Sequence, residues 1–457
     1  MTPPAGSAPR ADSGLAPEEA PLGAGAVASP PRPAVRAVRP VVGTVSVPGS
    51  KSLTNRALLL GALAEGTTVV EEALWSEDTR RMVEGLRALG FTVETDLAGG
   101  RLVVHGAAGR VPAVEAVVDA GDAGTVARFL TAVAACGHGR CVVDGSARMR
   151  QRPIGGLVEA LRALGGDLDA PTGCPPVHVR GRGLAGGRAA VRAARSSQFL
   201  SALLMAAPLA RSPVELEVQG TLPAAPFVEM TVRVMAAFGV TVERPHPAVF
   251  RVAPQRYRAR RYRVEPDASS ASYFFAAAAV TAGRVEVPGL RPDSPQGDLA
   301  VLEVLARMGC AVRWTADGVE VSGPARLRGV DADLGAMPDM TPTLAALAPF
   351  ADGPVRIRGV AVVRHHESDR LRALAQELRR LGQEVVEHDD GLEVHPRPLR
   401  PAVVETHGDH RLAMAFAVTG LRAEGLLLRG AECVAKTFPD FFERLEALVE
   451  GGGQTPR

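Results

Sequence analysis

The two lysines of the chain are the first residues whose type suggests chemistry. The sequence has 457 residues and 52 basic side chains, of which only Lys51 and Lys436 are lysine. A lysine ammonium is a compact charge that can lose its proton, whereas the planar guanidinium of arginine stays charged. We interpret the two lysines as residues kept where arginine cannot serve, at an anion-binding or proton-shuttling site.

Polar side chains beyond the needs of helix capping cluster where helices are expected to begin. Helix N-termini present free N–H groups and a partial positive charge, so they bind anions. SSAS (269–272) is explained by capping alone. The other segments at first helices are KSLTNR (51–56), DAGTVAR (122–128), SSQF (196–199), DMTPT (339–343) and DHR (409–411). The segments at second helices are SEDTRR (76–81), ARMRQRPI (147–154), HESDR (366–370) and AKTFPDF (435–441).

These segments predict a site for more than one anionic group. The carboxylates Asp339 and Glu367 are the natural acid and base partners within it. The cationic residues predicted for the site are Lys51, Arg148, Arg370, Arg411 and Lys436.

Two patterns repeat along the chain and predict the elements that position these residues. In the first, a helical stripe ends at a glycine and a strand follows, with glycines at 90, 165, 239, 309 and 382. A glycine just past a helix is typical of a left-handed C-terminal cap. In the second, an Ala/Leu-rich helix is followed by a turn residue at 66, 139, 212, 283, 353 or 425. Together the two patterns indicate six βαβαββ units of roughly 72 residues.

The six units are interpreted as two domains of three units each, with the active site in the cleft between them. The basic segment RYRARRYRVEP (256–266) falls between the third and fourth units. We expect a first domain over residues 51–264 and a second formed by 36–50 plus 265–450. Residues 1–35 are rich in Pro, Ala and Gly and are predicted to be a disordered tail without the apolar stretch of a secretory signal.

The composition excludes several other classes of protein. The net charge of +2 gives no electrostatic footprint for nucleic acid. We find no apolar run of the roughly 20 residues that a membrane span needs. The five cysteines have no metal-ligand spacing, so we expect no metal.

Eight motifs together resemble one enzyme family. Over about residues 37–447 the chain resembles the 5-enolpyruvylshikimate-3-phosphate synthases, or 3-phosphoshikimate 1-carboxyvinyltransferases, of the enolpyruvyl transferase family. The motifs are PGSKSLTNRAL (48–58), DAGTVARF (122–129), RMRQRPI (148–154), SSQFLSALLM (196–205), PDMT (338–341), HESDRL (366–371), DHRLAM (409–414) and AKTFPDFF (435–442).

The resemblance implies a fold and a reaction. The fold is a two-domain inside-out α/β barrel with three βαβαββ units in each domain. The reaction transfers the enolpyruvyl (carboxyvinyl) group of phosphoenolpyruvate to the 5-hydroxyl of shikimate 3-phosphate, through a tetrahedral intermediate, and releases phosphate. This is a step of the shikimate pathway toward chorismate and the aromatic amino acids. It implies no cofactor, a cytoplasmic monomer, no partner besides the two substrates, and competition of glyphosate with phosphoenolpyruvate.

The resemblance also implies roles for individual residues. Lys51 assists proton movement, Asp339 is the base for the 5-hydroxyl, and Glu367 protonates the methylene carbon. His410 supports the developing charge. The residues implied for shikimate 3-phosphate are Lys51, Ser52, Arg56, Ser196, Ser197, Gln198, Asp339 and His366. Those implied for phosphoenolpyruvate are Lys51, Gly124, Arg148, Gln198, Arg370, Arg411 and Lys436.

Within the second set, the resemblance implies distinct tasks. Arg148 and Lys436 neutralise the phosphate, and Arg370 and Arg411 pair with the carboxylate through their forks. Gly124 lets the substrate approach the backbone, because a side chain there would collide.

Five positions depart from the family's usual residues. The departures are Asp122 for Asn, Ala224 for a phosphate-binding Ser, Phe227 for Tyr, Val362 for a polar phosphate contact and His366 for Lys. A good charged hydrogen bond contributes about 1.5–3 kcal/mol. These departures therefore bear on the affinity for the acceptor, and on its identity.

Three alternatives stay open at this point. The first is a paralogous enolpyruvyl transferase with a different acceptor. The second is the related enzyme that acts on UDP-N-acetylglucosamine, which usually has Asn after its first lysine where this chain has Ser52. The third is a non-catalytic anion-binding repeat protein, which would not need Asp339 and Glu367.

Overall fold

The computed structural model describes residues 30–96 and 99–451, and within them every unit predicted from the repeats contains helices and strands. The elements of the first part are β1 (Arg32–Pro33), β2 (Val42–Thr44), α1 (Lys51–Leu63), β3 (Thr67–Glu71), α2 (Glu77–Ala88), β4 (Thr92–Asp96), β5 (Arg101–His105), β6 (Glu115–Asp119), α3 (Gly124–Cys136), β7 (Arg140–Asp144), α4 (Gly155–Ala163), β8 (Leu168–Asp169), β9 (Val177–Arg180), β10 (Gly187–Val191), α5 (Gln198–Ala206), β11 (Val214–Val218), α6 (Pro226–Ala237), β12 (Glu243–His246), β13 (Val249–Val252) and β14 (Arg261–Arg263).

The elements of the second part continue the same alternation. They are α7 (Ala268–Thr281), β15 (Arg284–Pro288), α8 (Val301–Arg307), β16 (Ala311–Trp314), β17 (Gly318–Ser322), β18 (Val330–Asp333), α9 (Thr341–Leu347), β19 (Val355–Arg358), α10 (Arg370–Arg380), β20 (Glu384–His388), β21 (Gly391–His395), β22 (Ala402–Glu405), α11 (His410–Gly420), β23 (Leu426–Arg429) and α12 (Phe441–Glu450).

The strands of the described residues form six small sheets, as the six predicted units require. In the second unit the order is β6-β7-β9-β8, with β6 and β7 parallel across α3 and the other pairs antiparallel. Four other sheets repeat this order, and the sixth has the three strands β1-β23-β22. A parallel pair joined through a helix, followed by a hairpin, is the predicted βαβαββ unit.

The first helix of each unit is buried on all sides. Every residue of α3, α7, α9 and α11 is buried, as are most residues of α1 and α5. A helix that is apolar all round requires complete burial. Because α3 packs against α1 and α5, and α11 packs against α7 and α9, each trio forms a central layer with the sheets outside it.

The predicted glycine caps are confirmed. Gly90, Gly165, Gly239, Gly309 and Gly382 all have φ between +83° and +101°. A residue with a Cβ is strained in this conformation, which explains why the same residue type returns at the end of each of these helices.

Two separate apolar cores lie in the described residues. One is built from residues between Leu53 and Val264. The other combines Val41, Val45 and Val47 with residues from Ala268 to Leu448.

The chain crosses between the two cores at two adjacent segments. The Ser50 N–H donates to the Glu265 carbonyl and the Asp267 N–H donates to the Pro48 carbonyl, each at 2.8 Å. The crossings exchange strands: β2 pairs in parallel with β15 in the second part, while β14 pairs in parallel with β3 in the first.

The prediction that residues 1–35 form a disordered tail is wrong for the last residues of this segment. Arg32 and Pro33 pair antiparallel with Leu428 and Leu427, and the Ala34 N–H donates to the Leu426 carbonyl at 3.0 Å. A two-residue strand leaves no periodic signal in a Pro/Ala-rich sequence, yet it covers an otherwise open edge of β23. The remainder of the predicted tail, residues 1–29, lies outside the described residues.

Gly49 provides a test of the double crossing. A Cβ at Gly49 would lie 2.1 Å from the carbonyl oxygen of Glu72, so one backbone segment would have to move. We expect Gly49→Ala to lower the free energy of unfolding by about 2–3 kcal/mol, measured by urea denaturation.

Gly353→Ala is the matched control, because the nearest atom to a Cβ there is 3.9 Å away. Equal stabilities of the two variants would contradict the expectation for Gly49.

Candidate active site

A cavity lies between the two cores and is lined from both sides. It encloses about 800 Å³ of empty space, including the part open to solvent, which is within the usual range for small-molecule sites. Its lining residues are Lys51, Ser52, Arg56, Asp78, Gly124, Thr125, Arg152, Ser196, Ser197, Gln198, Pro223, Ala224, Phe227, Pro338, Asp339, Val362, His366, Glu367, Arg370 and Arg411.

Most of the residues predicted for the site line this cavity. The exceptions are Lys436, His410 and Arg148. Lys436 lies directly behind the lining, with its Nζ 2.6 Å from Oδ1 of Asp78. His410 is buried, and neither of its ring nitrogens has a hydrogen-bond partner among the described residues. Arg148 does not line the cavity, and its guanidinium donates to the carbonyl oxygen of His366.

Arg370 is the centre of the site's hydrogen bonding. Its Nε donates to Asp409 Oδ2 at 2.8 Å, and Nη2 donates to Glu367 Oε2 at 2.9 Å and to Asp409 Oδ1 at 3.3 Å. Its Nη1 donates to Asp339 Oδ1 at 2.9 Å and to His366 Nδ1 at 3.0 Å. All five N–H groups of this buried guanidinium therefore have acceptors.

Asp339 joins this network to a second arginine. Arg411 Nη2 donates to Asp339 Oδ2 at 2.8 Å and to Ser269 Oγ at 3.4 Å. The Ser269 hydroxyl in turn donates to Oδ2 of Asp298, while Oδ1 of Asp298 is buried without a partner among the described residues. The cap of α7 is Asp267, which accepts from the Ser270 N–H, so Ser269 is not the capping residue assumed from the sequence.

Asp78 links the two lysines and was not predicted as a site residue. Its Oδ2 lies 2.9 Å from Lys51 Nζ and its Oδ1 lies 2.6 Å from Lys436 Nζ. Burial alone would raise the pKa of Asp78, but the charges of Lys436 and Lys51 lower it below its usual value. The available signal was its place in SEDTRR, at the start of α2.

Arg152, rather than Arg148, is the arginine of the RMRQRPI motif that lines the cavity. Its Nη1 donates to the Asp122 carbonyl at 3.0 Å, and its Nε is buried with no acceptor among the described residues. The prediction that Arg148 lines an anion site is not supported by its position. The arginines at 148, 150 and 152 follow one another in an irregular turn, so sequence spacing could not separate them.

Gly124 lines the cavity at a place with little room for a side chain. A Cβ there would be 2.9 Å from Arg152 Nη2 and 3.1 Å from Gln198 Oε1. Both neighbours are ends of flexible side chains, so a larger residue would displace the polar groups that face the cavity.

Hydroxyl and apolar groups make up another wall of the cavity. Ser196 accepts at Oγ from the Gln198 N–H at 3.2 Å, at the start of α5. Five of the residues that line the cavity have no polar group in their side chains. They are Pro223, Ala224, Phe227, Pro338 and Val362.

Arg56 is almost fully used by its own protein. It donates from Nε to Thr231 Oγ1 at 2.8 Å, from Nη1 to the Ser52 carbonyl at 3.0 Å, and from Nη2 to the Phe227 carbonyl at 3.1 Å. Burial lowers the pKa of Arg56 to about 9. Nη2 also donates to Ser201 Oγ at 3.5 Å, so one N–H group of Nη1 remains for a ligand.

The electrostatics of the site set the protonation of its acid–base groups. Burial alone would raise the pKa of Glu367, but Arg370, Arg152 and Lys436 outweigh it and hold that pKa well below its usual value. The pKa of Asp339 is likewise lowered, against burial, by Arg411 and Arg370. Without a ligand, both carboxylates are therefore ionised at neutral pH.

The histidines of the site are neutral. Burial, and then the charge of Arg370, lower the pKa of His366 to about 4. Burial also holds the pKa of His410 well below its usual value. Because Nδ1 of His366 accepts from Arg370, its ring proton is on Nε2.

Two further findings concern the described residues as a whole. Across 30–96 and 99–451, no three His, Cys, Asp or Glu side chains form a group that could hold a metal ion. No helix in this part of the chain has the length and apolar character needed to cross a membrane.

Comparisons with known proteins agree on one family. The family model for EPSP synthase (3-phosphoshikimate 1-carboxyvinyltransferase) matches residues 35–445. The 3-phosphoshikimate 1-carboxyvinyltransferase of Nostoc sp. is 48% identical over 415 residues, which cover 90% of this chain and 98% of that protein. The chloroplastic 3-phosphoshikimate 1-carboxyvinyltransferase of Arabidopsis thaliana is 44% identical over 435 residues, covering 90% of this chain and 84% of that protein.

A solved structure confirms the predicted fold. EPSP synthase from Acinetobacter baumannii superposes with a TM-score of 0.75 at 27% identity, covering 93% of this chain and 98% of the other. The predicted two-domain inside-out α/β architecture is therefore correct.

Asp298 provides a pH test of the buried network. Burial, followed by the nearby charge of Asp339, raises its pKa to about 7. A carboxyl whose pKa is raised by folding makes the protein less stable as the pH rises from its unfolded pKa to its folded pKa. We expect Asp298→Asn, which mimics the neutral acid, to be more stable than the wild type at pH 8 by on the order of 1 kcal/mol or more.

The same comparison at pH 5, by urea denaturation, should give a smaller difference, because the wild-type carboxyl is then largely protonated. The exposed Asp293→Asn is the matched control and should change stability equally at both pH values. A constant difference for Asp298→Asn across this range would count against the raised pKa.

Proposed function

The chain belongs to the EPSP synthase family, and we propose from that premise how its residues divide the work of the reaction. The protein is a 3-phosphoshikimate 1-carboxyvinyltransferase. It transfers the enolpyruvyl group of phosphoenolpyruvate to the 5-hydroxyl of shikimate 3-phosphate and releases phosphate. The family match over residues 35–445 is the observation that carries this assignment.

The two domains are assigned to residues 51–264 and to residues 36–50 plus 265–450. The two separate apolar cores and the paired crossings at Ser50 and Glu265 support this division. Strand β1 extends the second domain to Arg32. The active site is the cavity between the domains, and closure around the substrates excludes water from it.

The phosphate of phosphoenolpyruvate is held by Arg152, Lys51 and Lys436. Arg152 has a buried Nε without an acceptor among the described residues. Both lysines pair with Asp78, and Lys436 Nζ also lies 4.0 Å from Glu367 Oε1. This is an excess of donors over acceptors on one side of the cavity, which favours binding of a doubly charged anion.

The carboxylate of phosphoenolpyruvate is held by Arg411 and Arg370. Arg411 donates from its side chain through Nη2, so its other N–H groups can reach a ligand. Arg370 has acceptors for every N–H group, so the substrate must replace one of them.

Glu367 is the acceptor that this exchange would release for catalysis. Once its bond to Arg370 is broken, one of the interactions that lower its pKa is lost, so it takes up a proton more readily. Protonated Glu367 then donates to the methylene carbon as C2 of phosphoenolpyruvate is attacked, which gives the tetrahedral intermediate. His410 and Lys51 stabilise the charge that develops there.

The acceptor, shikimate 3-phosphate, binds in the part of the cavity lined by six polar residues. They are Ser52, Arg56, Ser196, Ser197, Gln198 and His366. Asp339 accepts the proton of the 5-hydroxyl as it attacks. In the second step, the ionised Glu367 takes a proton back from the new methyl group, the double bond re-forms, and the bond between C2 and the phosphate oxygen breaks to release phosphate.

We assign the protein as a cytoplasmic monomer whose partners are its two small substrates. The five cysteines are unbonded, as is usual in a reducing compartment. The small net charge of +2 does not favour nucleic acid.

The reaction is tested by phosphate release from purified protein with phosphoenolpyruvate and shikimate 3-phosphate. We expect release to require both substrates. Glu367→Gln removes the proton donor while keeping the shape, and should lower kcat by about a hundredfold or more. Glu424→Gln changes an exposed glutamate and is the control. Release that persists unchanged in Glu367→Gln would contradict the assigned role.

His366 provides a test of the acceptor side. His366 is neutral at pH 7, so His366→Lys adds a positive charge to the wall that faces the phosphate of the acceptor. We expect the KM for shikimate 3-phosphate to fall by about threefold to tenfold, with a smaller effect on the KM for phosphoenolpyruvate. The matched control is His365→Lys, since His365 is exposed and outside the cavity lining. An unchanged KM for shikimate 3-phosphate would place the phosphate elsewhere.

A further inference from the structure

Arg148 makes contacts that no role in binding the substrates accounts for. Its Nε and Nη2 donate to the carbonyl oxygen of His366 at 3.0 and 2.8 Å. Nη2 also lies 3.4 Å from the carbonyl oxygen of Arg364. The guanidinium thus grips two backbone carbonyls across the cleft, from the first apolar core to the second.

The loop that carries Arg148 is fixed on its own side. The Ser146 hydroxyl donates to Oδ1 of Asp122 and accepts from the Met149 N–H at 3.0 Å. The carbonyl of the same Asp122 accepts from Arg152 Nη1 at 3.0 Å. One short loop therefore carries both the cross-cleft arginine and the arginine assigned to the substrate phosphate.

The segment that accepts these bonds is fixed on the opposite side. The Arg364 side chain donates to Asp369 at 3.0 Å, to Glu387 at 2.8 Å and to the His388 carbonyl at 2.8 Å. Glu367 follows directly after the carbonyl that Arg148 grips. The bond from Arg148 to His366 therefore connects the loop that carries Arg152 to the segment that carries Glu367. Each of the two is held by hydrogen bonds on its own side of the cleft.

We propose that Arg148 is a positioning residue that latches the closed state and sets the distance between the loop of Arg152 and the loop of Glu367. Its acceptors are neutral carbonyls, so it supplies orientation without neutralising the site's charge. The proposal rests on the proposed function and on the division into two domains. Because these bonds require the facing backbone, they are made when the domains approach and are lost when they separate.

A latch of this kind has a thermodynamic signature that a phosphate ligand lacks. A bond made only in the closed state raises the apparent affinity of every ligand that requires closure, and it does so by the same factor. A side chain that touched only the phosphate of phosphoenolpyruvate would affect that substrate alone. Loss of hydrogen bonds from a charged donor is expected to change affinities by about tenfold.

The experiment uses the full chain with Arg148→Ala, Arg148→Lys and the control Arg150→Ala. Arg150 lies two residues away, is exposed and pairs with Asp144 in its own domain. Phosphate release gives kcat/KM for each substrate. Small-angle X-ray scattering gives the radius of gyration during two titrations, one with shikimate 3-phosphate at saturating glyphosate and one with glyphosate at saturating shikimate 3-phosphate. The half-compaction concentration is the ligand concentration at which half of the decrease in radius has occurred.

The latch predicts that Arg148→Ala lowers kcat/KM for both substrates by a similar factor of about ten. Both half-compaction concentrations should rise by that factor, while the thermal midpoint of the free protein stays unchanged. Arg148→Lys should recover little of the lost activity and affinity, because lysine has a single nitrogen and cannot donate to one carbonyl oxygen from two nitrogens as Arg148 does. Arg150→Ala should match the wild type in every measurement.

Two results would overturn the latch while wild-type turnover stands. One is a selective rise in the KM for phosphoenolpyruvate with the half-compaction concentration of shikimate 3-phosphate unchanged, which would make Arg148 a phosphate ligand. The other is wild-type behaviour of Arg148→Ala in both assays. Absence of phosphate release by the wild-type protein would overturn the proposed function itself.

Discussion

The buried guanidinium of Arg370 is the constraint on which the rest of the site depends. It is 1% exposed and is surrounded by Asp339, Glu367 and Asp409. Removing such a charge from water is costly unless every donor is paired, and leaving any of its partners unpaired is costly as well. Asp409 itself is fixed as the cap of α11, where it accepts from the Arg411 N–H. The helix start, the two arginines and the acid–base pair are therefore parts of one electrostatic unit.

The ion pairs of this unit determine what a bound substrate anion must replace. Every N–H group of Arg370 already has an acceptor within the protein, so a substrate carboxylate that binds this arginine must replace an internal partner. The free energy of binding is then the difference between two paired states. With the role proposed for Glu367, this exchange would couple the arrival of a substrate to the release of that carboxylate, and the acid–base chemistry would depend on occupancy of the site.

The fold, and the meeting of most candidate site residues around one cavity, could be predicted from the sequence, for reasons that individual residues make clear. Gly90 and its counterparts mark a backbone conformation that few other residues adopt, so the repeat was visible without any tertiary information. The first helices could be placed because each is an Ala/Leu-rich stretch followed by a turn residue, and the site could be placed because most of their N-termini carry side chains beyond capping needs. Arg152 and Arg148 could not be separated, because an irregular turn sends them to different places. Asp78 and Asp298 were missed because a buried carboxylate reads in sequence like any acidic residue at a helix start.

The exchanged strands have a consequence for how the protein folds during synthesis. Strand β2 leaves the ribosome early, yet its partner β15 follows more than 200 residues later, and β1 must wait for β23 near the other end of the chain. At roughly 5–20 residues per second, this gap lasts tens of seconds at the slower rates. The continuous stretch 51–264 is complete before either partner exists. The connectivity therefore predicts an order of folding in which the inserted stretch folds first and the part that surrounds it in sequence folds last.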